Sequence, residues 1–181
     1  MNKQDGIIEI IGDVCSVVGE KAMARGIIGV IDGVNFDFGS TAYINRQLIE
    51  LSQNPETNLK KFPLFGLHGS FFEDRTDAET MTKASVSMTI AVLTESKYTN
   101  KQRLEKSFIQ QLRPLYNLFF ECLRKERRIE KPYNEHFPHS YMEDYRLGSS
   151  GAMDSEGKTL IDLIDAINIY NLSLTVKKVN C

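Results

Sequence analysis

Between Phe62 and Arg128 the hydrophobic period changes from two to between three and four, and this switch limits the folds open to the chain. In Ser85 to Leu93, Val86, Met88, Ile90 and Val92 point one way, and Ser85, Ser87, Thr89 and Ala91 the other. Such alternation is the mark of a strand in a sheet with one covered face. From Thr99-Asn100 onward, Leu104, Phe108, Leu112, Leu115, Phe119, Cys122 and Leu123 recur at helical spacing. The pattern predicts one long amphipathic helix over about 100–128. Pro114 lies inside it, where a missing donor and a clash one turn back predict a kink or a break.

The flanking segments extend this pattern. Ile7, Ile10, Ile11, Val14, Val17 and Val18 predict a helix from Gly6 to Met23, with Asp5 as its cap. The β-branched run Ile27 to Ile31, between Gly26 and Gly33, predicts a strand. Ser40 is placed to cap a second helix with Ile44, Leu48 and Leu51 on its apolar face, stopped by Asn54-Pro55. Phe62 to Phe72 reads as a strand, and the polar stretch Glu73 to Lys83 as a hairpin excursion. Pro132 to Tyr145 reads as a loop with an irregular strand, and Gly148 to Gly157 as a flexible loop. In the last strand Ile167 and Ile169 share one phase and Leu172, Leu174 and Val176 the other, which predicts a β-bulge near Tyr170-Asn171. The expected architecture is a single α+β domain over residues 1–181. Its small antiparallel or mixed sheet is packed by about three helices, one of them long.

A chain of 181 residues, 41% hydrophobic and 25% charged, can bury a core of its own. Its formal charge of -2 gives no general attraction to nucleic acid or an anionic membrane. The apolar runs are too short to span a bilayer, and no membrane role is expected. The start Met1-Asn2-Lys3-Gln4-Asp5 lacks the pattern of a secretory signal, and Cys15, Cys122 and Cys181 are odd in number and widely spaced. Both observations point to synthesis in a reducing cytoplasm, with Cys15 and Cys122 as buried hydrophobes.

Candidate chemistry is thin. His136 and His139 are close in sequence but have no cysteine nearby, so loop histidines are favoured over a metal site. His68 reads as a hydrogen-bonded strand histidine. Asp32-Gly33, Asp37-Phe38-Gly39 and Gly148-Ser149-Ser150-Gly151 are only fragments of phosphate-binding motifs. The carboxylates Glu143-Asp144 and Asp162 with Asp165 carry no nucleophile or base beside them. No enzyme activity, cofactor or metal is expected. Charge is more informative: nine Lys or Arg stand against four Glu from Lys101 to Lys131. Arg124, Lys125, Arg127 and Arg128 close the long helix, which the helix dipole favours in any case. The functional alternative is a basic ridge that meets DNA or an acidic protein.

Phe62-Pro63-Leu64-Phe65, Ser87 to Thr94, Arg103, Phe108, Leu112 to Tyr116 and Asp165 to Leu174 together resemble small proteins of tailed bacteriophages. The resemblance covers about 62–181 and is to neck or tail-completion proteins (tail-terminator-like head-tail connectors) of phages of Bacteroides-type hosts, including the crAss-like group. It implies a virion protein forming a cyclic homo-oligomer between portal or adaptor proteins and tail proteins. It also implies loops that reach the adjoining rings, and a use for the basic helix end in non-specific contact with DNA in the lumen. A nucleic-acid-binding accessory protein using the basic helix face is the alternative expectation.

Overall fold

Five strands in the order β1-β2-β3-β5-β4 form one mixed sheet, and helices pack on both of its faces. The computed structural model describes residues 6–76, 81–147, 157 and 162–177. Its elements are α1 (Ile7–Ala24), β1 (Asn35–Gly39), α2 (Thr41–Ser52), α3 (Pro55–Asn58), β2 (Leu64–Asp74) and β3 (Met81–Leu93). They continue with α4 (Asn100–Arg103), a π-helical stretch (Leu104–Leu112), α5 (Arg113–Lys125), β4 (Ser140–Leu147) and β5 (Ile164–Lys177). β1 runs parallel to β2, and every other neighbouring pair is antiparallel. The α+β expectation therefore holds.

The alternation in β3 divides the molecule. Val86, Met88, Ile90 and Val92 enter the main core with Phe65, Leu67, Ile167, Ile169, Leu172 and Leu174. α1 and the long helix α4–α5 cover that core with Ile10, Val14, Phe108, Leu112, Leu115 and Phe119. The opposite face is less open than the alternation predicts. There α2 lays Ile44 and Leu48 over Leu64, Ala91, Ile164 and Ala166 in a second, smaller apolar cluster.

Local chemistry sets the helix starts. Ser40 Oγ accepts the Tyr43 amide at 3.2 Å and caps α2. Thr99 and Gln102 satisfy one another's backbone amides at 3.3 and 2.9 Å, a capping box that opens the long helix. α1 begins with Gly6 in the cap position, and Asp5, the expected cap, lies outside the described residues. Asn54 caps the short α3, with Pro55 at its first position, so the expected stop is also a new start.

Pro114 does not divide the long helix. The chain winds as a π-helix from Leu104, and the Arg113 amide bonds the Phe108 carbonyl. Pro114 then falls in the first turn of α5, directly after that change of winding. The expected break becomes a change of winding. The helix ends at Lys125, earlier than about 128, because Glu126 turns to extended backbone (ψ 122°). That turn lets Ile129 bury itself and bridge to Val176.

Ile27 to Ile31 is not a strand. Gly26, Gly29 and Gly33 have φ of 64°, 85° and 85°, so this segment is a chain of turns, and the first strand follows at Asn35. The bulge expected in β5 is present: Tyr170 and Asn171 lie where the pairing steps from Val86↔Leu172 to Met88↔Ile169. Asn171 takes a φ of 53°, which asparagine tolerates better than most residues. β2 and β3 also pair as the expected hairpin, Asp74 opposite Lys83, with 77–80 outside the described residues. Pro132 to Tyr145 divides into a loop and the regular strand β4. The loop expected at Gly148 to Gly157 lies outside the described residues except for Gly157. Among the described residues no helix is long and apolar enough to cross a membrane.

Candidate interaction surface

Helical spacing puts Tyr116, Phe120 and Arg124 on one stripe of α5, with Asn117 and Glu121 on the neighbouring stripe. After α5 the chain runs along the free edge of β5 rather than into solvent. The Glu130 amide bonds the Thr175 carbonyl at 2.8 Å, the Lys177 amide the Arg128 carbonyl at 2.7 Å, and the Ser173 amide the Pro138 carbonyl at 3.0 Å. Phe137 is buried there and anchors the segment. His136 and His139 are thereby carried up to the α5 stripe. Together with Arg25 and Ile27 from the end of α1, these residues line a cleft of about 720 Å³.

Hydrogen bonding fixes the chemistry of this cleft. His139 Nδ1 lies 2.7 Å from the Phe137 carbonyl oxygen, which can only accept, so Nδ1 carries a proton. In the neutral ring Nε2 then accepts, and the Tyr116 hydroxyl donates to it across 2.6 Å. Burial raises the Tyr116 phenol above its ordinary value and keeps that proton in place. The His139 ring stacks on Phe120 at 4.6 Å and 19°. The ring centres of His136 and His139 are 5.7 Å apart. Both His139 nitrogens are engaged, however, and among the described residues no group of three or more His, Cys, Asp or Glu is placed to hold a metal.

Ion pairs on Glu121 tie the end of α1 to α5 at the cleft. Arg25 Nη2 donates to both oxygens of Glu121 at 3.0 and 2.8 Å, and Lys125 Nζ reaches Glu121 Oε1 at 2.8 Å. The hydrogen bond from Lys125, then that from Arg25, pull the Glu121 carboxyl down to about 2.

The four basic residues singled out from the sequence are therefore split. Lys125 is bound to Glu121. Arg128 lies beyond the helix and meets Asp13 Oδ2 at 2.8 Å and Glu126 Oε1 at 2.9 Å. Arg127 is exposed and also lies beyond the helix, while Arg124 lines the cleft. Neither Arg124 nor Arg127 has an ion pair among the described residues. The helix ends at Lys125, so Arg127 and Arg128 do not continue the helical face of Arg124.

The remaining polar candidates serve the fold. His68 Nε2 is 2.8 Å from Thr89 Oγ1, and the Thr89 hydroxyl donates to Asn168 Oδ1 at 2.6 Å. Since Thr89 spends its proton on Asn168, Nε2 must donate to it, and burial lowers the His68 pKa below 6.5. The carboxylate pairs also separate. Glu143 takes Arg113 and the Tyr141 hydroxyl, Asp162 takes the buried Lys61, and Asp165 takes Arg103 at 2.6 Å. Asp37 accepts its neighbour's amide at 2.8 Å, and Asp32 pairs with Lys60 at 3.2 Å.

Sequence reasoning missed two features. One is the Arg103–Asp165 pair, both side chains 0% exposed. Its signal was present, because Asp165 shares the odd phase of Ile167 and Ile169 and so faces the main core. The other is the Tyr116–His139 contact, which joins residues brought together only by the course of the loop along β5. No protein-family model and no curated protein matches the chain.

Proposed function

We propose that the chain is a structural subunit of a phage head-tail connector, a neck or tail-completion ring that joins portal or adaptor proteins to the tail. It acts by forming interfaces with copies of itself and with the adjoining proteins, and its place of action is the virion. The observation that carries this reading is the contrast between polar and apolar side chains. Among the described residues, His68, His139, Glu143, Asp162 and Asp165 are engaged in hydrogen bonds or ion pairs, while large apolar side chains stand exposed on the two outer strands. Phe38 is exposed on β1, and Tyr141, Met142 and Tyr145 on β4. An unpaired edge strand is a template for another chain, and exposed aromatic side chains favour contact over solvation. The resemblance over 62–181 supports the same reading. The test is mass spectrometry of purified particles. The chain is expected in stoichiometric amounts, and its absence from intact particles would overturn the proposal.

Arg124 and Arg127, without ion pairs, favour a second reading as a nucleic-acid-binding accessory protein. Under it, the free chain binds DNA with a salt-dependent affinity that reversal of Arg124 and Arg127 abolishes. Unchanged affinity in that double variant would remove this reading.

A further inference from the structure

The polar side chains that line the cleft over α5 fall into two groups. Tyr116 is bonded to His139 and Arg25 to Glu121, so these are occupied with one another. Asn117, Arg124 and His136 line the same cleft and make no side-chain hydrogen bond or ion pair among the described residues. Arg124 is half-buried, while Asn117 and His136 are exposed. Glu121, the one carboxylate lining the cleft among the described residues, is met by two cations, Arg25 and Lys125. The positive charge of Arg124 therefore stands uncompensated there. Asn117 and Arg124 are two turns apart on α5, about 10 Å along its axis. Beside Asn117, the Tyr116 hydroxyl has given its proton to His139, so its oxygen can only accept from a further group. The cleft, at about 720 Å³, has the size of a small-molecule site.

We propose that this cleft binds a small molecule that carries a phosphate or carboxylate group at one end and hydroxyl groups at the other. The Arg124 guanidinium takes the oxyanion, for which its planar set of donors is suited, and the His136 ring supplies a second donor. The Asn117 amide and the Tyr116 oxygen take the hydroxyl end. The inference goes beyond the assembly reading and does not depend on it.

An NMR titration followed at the His136 and His139 rings reads occupancy at the cleft itself. The probes are inorganic phosphate, acetate and ribose 5-phosphate. The better of the two simple anions should bind saturably with a Kd on the order of 1 mM, as suits so few atoms, and the order of phosphate and acetate names the group preferred. Ribose 5-phosphate should bind more tightly than phosphate, and Asn117→Ala should remove that gain. Arg124→Gln should weaken each probe at least about tenfold, the loss of one charged contact, and Arg124→Lys should restore part of it. Arg127→Gln, beyond the helix, should change nothing. Unchanged amide resonances elsewhere show that each variant folds. Equal losses in Arg124→Gln and Arg127→Gln would overturn the site and assign the binding to general surface charge. The absence of a saturable shift with all three probes would overturn it as well. Neither result bears on the assembly reading, which the composition of purified particles tests.

Discussion

The two faces of the sheet are built on different principles. The face under α1 and the long helix is largely apolar but encloses the Arg103–Asp165 pair. The face under α2 holds a small apolar cluster and then the row His68, Thr89, Asn168, hydrogen-bonded across three strands. Packing density determines the first face, and donor–acceptor order the second. Tolerance to substitution should differ accordingly.

The largest effects belong to the first face. Phe119→Ala removes a fully buried ring and should cost about 3–5 kcal/mol in a urea titration. Arg103→Ala leaves Asp165 buried without its guanidinium and should cost about 3–5 kcal/mol as well. Replacing both partners, Arg103→Met with Asp165→Leu, should recover most of that loss, since a buried pair is costly chiefly when half removed. If the double variant is as unstable as Arg103→Ala, the pair contributes more than mutual neutralisation. Leu48→Ala, on the second face, should cost nearer to about 2 kcal/mol, because its cluster is small and can collapse.

The smallest effect depends on pH. The folded protein holds His68 below 6.5, so between that folded value and 6.5 the unfolded chain binds more protons. Stability from this group is complete above pH 6.5 and falls as the pH drops below it. His68→Gln should remove this part of the acid sensitivity, seen as a smaller drop in urea midpoint between about pH 7 and pH 5. An unchanged profile would show that the row tolerates a charged ring.

What could be read from the sequence followed periodicity. The β3 alternation, the long helix and the bulge at Tyr170-Asn171 were legible because each is a phase relation within one segment. Ile27 to Ile31 misled because β-branched composition resembles a strand, while backbone geometry at Gly26, Gly29 and Gly33 decides otherwise. Pro114 was legible as a disturbance but not in its form, since a π-winding keeps the helix continuous. The cleft was illegible. It depends on the chain after Lys125 following the β5 edge, which brings His139 to Tyr116 from 23 residues away.

The proposed role of this domain is to form an interface between copies. Light scattering of the purified chain across a range of concentrations tests it most directly. A chain that assembles with itself gives a defined multiple of the 20.6 kDa chain mass that becomes more populated as concentration rises. A single species of monomer mass at the highest concentration would contradict it.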